Sequence, residues 1–207
     1  SGDYEDCALY RLWEAAVRRA AHLAPEADIT LGVARSAMST LIESEEPFER
    51  AIRTVLLKVG LNMHHALLED GRHNRPLLEA GLDWLSGEEL EPEQVETLGV
   101  EGGSNIPEGL RDDQDVEAVF RVLALLSARA GRPFVLCVDQ FDNLSEQQVR
   151  ATTRFLHVLI DHIPNFRCVL SGVTDNVLDL VGHDIISAAN WDRVAEERID
   201  LRLVKPE

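Results

Sequence analysis

Gly131-Arg132-Pro133-Phe134-Val135-Leu136-Cys137-Val138-Asp139-Gln140-Phe141-Asp142-Asn143-Leu144-Ser145 is the stretch on which the fold turns. Glycine and proline punctuate the chain, and five apolar, β-forming residues follow without a polar alternate. A run of that kind reads as a strand buried on both faces, hence one of a parallel sheet. Cys137, and later Cys168, then count as core residues. Asp139 closes the run, at the end where open α/β sheets place their ligand crevice. Ser145 with Gln148 is a capping-box pair, so a helix starts there. Val149, Phe155, Leu156, Leu159, Ile160 and Ile163 line one face of it, and Pro164-Asn165 closes it. Phe166-Arg167-Cys168-Val169-Leu170 repeats the buried-strand pattern, and strand, helix, strand implies a right-handed parallel crossover.

Downstream, Ser171-Gly172-Val173-Thr174-Asp175-Asn176 forms a polar turn, and a short helix is predicted over about 176–189. Residues 198–204 alternate polar and apolar, which predicts a last, half-exposed strand. Upstream, Leu9, Leu12, Trp13, Ala16, Ala20 and Leu23 give a helix over about 6–23, ended by Pro25. Ile29-Thr30-Leu31-Gly32-Val33 reads as a short buried strand. Glu45-Glu46-Pro47 suits a helix N-terminus, with Asp70-Gly71 as its stop. Residues 72–113 hold short helical pieces, including Leu82-Asp83-Trp84-Leu85, between loops such as Gly102-Gly103-Ser104-Asn105. Val116, Val119, Phe120, Leu123 and Leu126 mark a helix over about 113–130. The predicted class is α/β, a parallel sheet with flanking helices in residues 113–207 and a helix-rich N-terminal half in residues 1–112. The last third reads as the most compact part.

Composition limits what such a chain can do. It has 207 residues, 45% hydrophobic and 28% charged, with a net charge of -17. That is globular material without a general attraction for nucleic acid or an anionic membrane. No apolar run reaches the ~20 residues that span a bilayer. Three well-separated cysteines, Cys7, Cys137 and Cys168, suit a reducing cytoplasm. The acids crowd into residues 61–131. Only two of the 20 basic residues are lysines, Lys58 and Lys205, and neither follows a glycine. The phosphate loop G-x-x-x-x-G-K-[ST] is therefore absent from this sequence. His64-His65, and His157 with His162, lack the i, i+4 spacing of a helical metal pair.

Asp139-Gln140-Phe141-Asp142-Asn143-Leu144 resembles the D-Q-F-E-E-L form of the Walker B segment in STAND-type relatives of AAA+ ATPases. The resemblance implies a P-loop-NTPase-like sheet, of which this chain carries part. It further implies that Asp139 supports Mg²⁺ through water, with Gln140 or Asp142 positioning the attacking water. In these families the next strand ends in a polar sensor, and Ser171, Thr174 and Asn176 occupy that place. An arginine before the last strand often reaches a neighbour's nucleotide, which makes Arg193 and Arg198 candidates. Asp83-Trp84-Leu85-Ser86-Gly87-Glu88, then Leu98-Gly99-Val100, then the Asp139 strand, is similar in order and spacing to the ATP-binding proteins of BREX-type phage-defence systems.

The residues alone also admit plainer roles. Asp139 and Asp142 can begin a strand-to-helix turn, Ser171 to Asn176 can be a turn by composition, and the two arginines can be solvated. The family pattern implies a P-loop ahead of helix 6–23, so the chain is expected to begin after it. ATP and Mg²⁺ belong to that parent protein, and this chain alone is expected to bind them weakly or not at all. Two functions stay open: part of an ATPase used in switching or remodelling, or an α/β interaction module without nucleotide chemistry. Expected partners are the rest of the parent ATPase, other proteins, or further copies covering an exposed sheet edge.

Overall fold

The computed structural model describes residues 4–44, 46–68, 74–98, 109–110, 112–163, 165–195, 197 and 199. The chain divides into two compact units, residues 1–132 and 133–207. The boundary falls at the Gly131-Arg132-Pro133 break. Helix 113–130 therefore belongs to the first unit, not to the second as the sequence suggested.

The first unit is helical. A 3₁₀ turn (Tyr4–Asp6) leads into α1 (Ala8–Ala20), α2 (Leu31–Ile42), α3 (Pro47–Leu68), α4 (Arg75–Leu85), α5 (Pro92–Leu98) and α6 (Asp113–Arg129). The predicted strand at 29–33 is instead the last residue of a loop, the Thr30 cap and the first residues of α2. The Thr30 side chain accepts from the Val33 N–H and so caps a helix N-terminus, which a short apolar run does not reveal. Pro47 opens α3 as its lack of an N–H predicts. The stop read at Asp70-Gly71 and the loop at 102–105 lie outside the described residues.

α3 is the central helix. Ala51, Ile52, Val55, Leu56, Leu57, Val59 and Met63 are buried along it, and α1, α2, α4 and α6 pack against it. Two glycines set the close approaches. A Cβ on Gly60 would lie 2.3 Å from Trp13 Cγ, and one on Gly81 would lie 2.3 Å from Val59 Cγ2. Thus α1 and α4 come close to α3 only because these positions carry no side chain. His64 is part of this core. Its Nδ1 is 3.0 Å from the Tyr10 hydroxyl and its Nε2 is 2.7 Å from the Ile29 carbonyl, so both ring nitrogens are used structurally. The largest cluster of buried apolar residues lies in this unit, and not in the last third of the chain as composition suggested.

The second unit carries the sheet. β1 (Phe134–Val138) pairs in parallel with β2 (Phe166–Leu170), Phe134 opposite Phe166 and Val138 opposite Leu170. α7 (Glu146–His162) connects them, and its capping box forms as predicted: the Gln148 N–H reaches Ser145 Oγ and the Ser145 N–H reaches Gln148 Oε1. α8 (Thr174–Gly182) and α9 (Ala188–Val194) follow, where one helix over 176–189 was predicted. Among the described residues the α/β prediction holds as a two-stranded parallel sheet within a mainly helical chain.

One expectation about this sheet fails. The strands are not buried on both faces: Val135 and Val169 are 52% and 53% exposed, and Cys137 is exposed. The opposite face, with Val138 and Leu170, packs toward Phe141, Val149 and Ile186. An apolar run states what a strand prefers, while burial needs a second layer to supply it. The final strand predicted at 198–204 lies outside the described residues except for position 199.

Candidate functional site

Asp139 lies immediately after the C-terminal end of β1, and Ser171 immediately after the corresponding end of β2. The register brings them together, because Val138 is paired with Leu170. The ladder then runs one step past the strands: the Ser171 N–H donates to the Val138 carbonyl at 3.0 Å, and the Phe141 N–H donates to the Ser171 carbonyl at 2.8 Å. Fixed in this way, the Ser171 hydroxyl donates to Asp139 Oδ1. The Gln140 N–H donates to the same oxygen at 2.9 Å.

Gln140 makes the turn possible. Its φ of 53° and ψ of 43° are left-handed, a conformation that costs a non-glycine residue about 1–2 kcal/mol. It redirects the chain into a 3₁₀ turn, Phe141–Asn143, anchored by the buried Phe141 ring. Its side-chain oxygen accepts from Asn143 at 3.1 Å, so the amide is engaged within the turn.

Asp142 is held from the other strand's loop. Asn176, in the first turn of α8, donates to Asp142 Oδ2 at 2.9 Å. This bond, helped by the Val173 N–H, holds the carboxyl below its ordinary value of 3.8, against a smaller opposing effect of desolvation. Asp142 Oδ1 lies against Gly172, where a Cβ would stand 2.8 Å away. Glycine is needed there because the carboxylate occupies the space of its side chain. Nothing in the sequence alone pointed to Gly172, since its role depends on a residue thirty positions upstream.

The structure therefore assembles Asp139, Gln140, Asp142, Ser171 and Asn176 into one cluster at the C-terminal end of the sheet. Thr174, also read as a sensor, begins α8 and lines an adjoining cavity of about 330 Å³ together with Ser171, Gly172 and Trp191. Arg193 is used elsewhere: it lies on α9, 3.5 Å from Asp161 of α7. Asp161 also bonds His157 Nε2 at 2.9 Å, and His157 Nδ1 meets Asn190 Oδ1 at 2.8 Å. The Arg193 network fastens α9 to α7. Its candidacy as a finger toward a neighbouring nucleotide receives no support from this pairing. Arg198 lies outside the described residues.

Among the described residues no three His, Cys, Asp or Glu side chains converge as a metal site. No helix among them is long and apolar enough to cross a membrane. Comparison of the chain with models of protein families, with curated proteins and with solved structures gives no match.

Proposed function

We propose that the second unit is the Walker B and sensor portion of an AAA+/STAND-like ATPase core, a cytoplasmic machine that switches or remodels a partner and serves phage defence. One observation carries the reading: Asp139 stands at the C-terminal end of a parallel strand and accepts the Ser171 hydroxyl from the corresponding end of its neighbour. A Walker B acid and a sensor need that juxtaposition, and an arbitrary strand-to-helix turn does not require it.

The donor set fits Mg²⁺. Carboxylate and hydroxyl oxygens suit a small hard cation that keeps several waters. With few protein ligands at hand, Mg²⁺ bound beside Asp139 would draw the rest from water and phosphate; it would supply charge neutralisation to a nucleotide. Asp139 would hold the cation's water shell, and Ser171 would orient that carboxylate. Asp142, kept ionised by Asn176, is the acid placed to orient water, and Thr174 faces the adjoining cavity as a second sensor. Asn176 serves Asp142 in this arrangement and does not itself reach for phosphate. Gln140 contributes chiefly through the backbone turn that sets Phe141 and Asp142 in place.

The missing phosphate loop must come from another segment. Joining a P-loop-bearing segment ahead of the chain should give ATP hydrolysis, and Asp139→Ala should remove it. Hydrolysis that survives Asp139→Ala overturns the reading. A second reading, an interaction module without nucleotide chemistry, is supported by the open sheet face at Val135, Cys137 and Val169. It requires partner binding that is indifferent to Asp139→Ala and to ATP.

A further inference from the structure

We infer that the edge of β2 away from β1, unpaired among the described residues, is a strand-addition site for an extended apolar peptide whose end beside Asp139 is basic. The inference does not rest on the ATPase reading, because it uses the edge of the sheet and the negative charge at its end, and no nucleotide chemistry.

The position of the cavity is the first observation. It is lined by five consecutive residues of one chain segment, Cys168 through Gly172, and by no residue of β1. Consecutive strand residues point alternately to opposite faces. A space that touches all of them, and none of the paired strand, lies along the outer edge of β2 and not on a face. Trp191 and Val194 of α9 form the far wall, and Val177 and Leu178 of α8 a flank, so the space is a slot beside the strand.

The second observation is which backbone groups face that slot. The Asn165 carbonyl and the Ser171 N–H are bonded to β1. In a parallel ladder the groups of alternate residues share one edge, so positions 165, 167, 169 and 171 face β1. The N–H and C=O groups of Cys168 and Leu170 therefore face outward, and no third strand pairs with them among the described residues. An edge of this kind is a template for an added strand. An extended peptide satisfies these backbone groups directly and sets its side chains against the apolar slot walls.

Charge decides the occupant's end. Asp139 and Asp142, which follow β1, bond to Ser171 and Asn176 just past the C-terminal end of β2, Asp175 is in the first turn of α8, and Glu197 lines the slot. The nearest arginine of α9, Arg193, is committed to Asp161. A strand parallel to β2, as β1 is, brings its C-terminal end to these acids, and a lysine or arginine there complements them.

The test uses the whole chain, labelled with ¹⁵N, and three blocked heptapeptides. The first alternates threonine and valine and ends in lysine. The second ends in glutamate instead. The third is the lysine peptide N-methylated at alternate residues, in the frame that would face β2. The lysine peptide should slow hydrogen exchange at the Cys168 and Leu170 amides and leave Arg167 and Val169, already paired to β1, unchanged. The glutamate peptide should bind about tenfold more weakly at low salt, a difference of about 1.4 kcal/mol, and the N-methylated peptide should not bind. Three results would each overturn the inference: no change at Cys168 and Leu170 with millimolar lysine peptide, equal binding of the N-methylated peptide, or full protection of both amides before any peptide is added.

Discussion

Asp142 shows how one hydrogen bond sets the chemistry of a surface acid. It lies on an open turn, and its carboxyl still titrates low because Asn176 and the Val173 N–H favour the ionised form. Asn176→Ala should raise its titration toward 3.8, read by carboxyl-carbon NMR. The sign for stability follows. A depressed folded value contributes stability that is present above 3.8 and lost as pH falls through the folded value. Asn176→Ala should therefore lower stability at pH 7 and leave it nearly unchanged below the folded value, so that the acid limb flattens. Gly172→Ala should disturb the same titration by pressing on Asp142 Oδ1. Tyr10 is the opposite case. Burial, with Glu14 nearby, pushes its hydroxyl up to about 12. Its contribution to stability is complete below pH 10 and is lost as pH rises toward 12, so Tyr10→Phe should reduce the alkaline slope of chemical denaturation.

At the scale of elements, the parts that sequence revealed are those whose signals are local. The capping box of α7, the proline at the start of α3 and the glycine-proline break before β1 are each written within four residues, and each stands where it was expected. The misread parts depend on what lies across space. Ile29 is buried, as its apolar neighbours implied, but in a loop whose carbonyl binds His64, and the helix begins only after the Thr30 cap. Val135 and Val169 have strand character, yet no second layer among the described residues covers them. The position of Asp139 after a parallel strand was legible because the run before it is contiguous, whereas the tie between Asp142 and Asn176 spans 34 positions. Packing predictions follow at this scale. Gly60→Ala puts a methyl within 2.6 Å of three Trp13 atoms, including the less mobile Cβ. Thermal unfolding should show a loss of about 1–3 kcal/mol or more. Leu156, fully buried on α7, should cost about 2–5 kcal/mol when replaced by alanine. A loss well under 1 kcal/mol would mean that the space around it closes up.

For the whole molecule, charge and the missing phosphate loop act in the same direction. A P-loop grips phosphate with a ring of backbone N–H donors and a lysine charge. The chain has two lysines, neither preceded by glycine, and a net charge of -17. Its acids should repel a polyanion over the ~8–10 Å that salt leaves unscreened. The cluster at the end of the sheet adds Asp139 and Asp142, so it attracts a cation and opposes bare phosphate. Asp139 can help hold a nucleotide only through a metal, and that metal needs phosphate oxygens for the ligands that the described residues do not supply. Titration calorimetry of this chain with ATP and Mg²⁺ should therefore give no heat of binding in the micromolar range. Adding Mg²⁺ alone should produce only weak, salt-sensitive changes at Asp139 and Ser171 in NMR spectra. Micromolar binding abolished by Asp139→Ala would show that the end of this two-stranded sheet grips a nucleotide without a P-loop, with Ser171, Thr174 and the N–H groups of the α8 turn as its remaining phosphate donors.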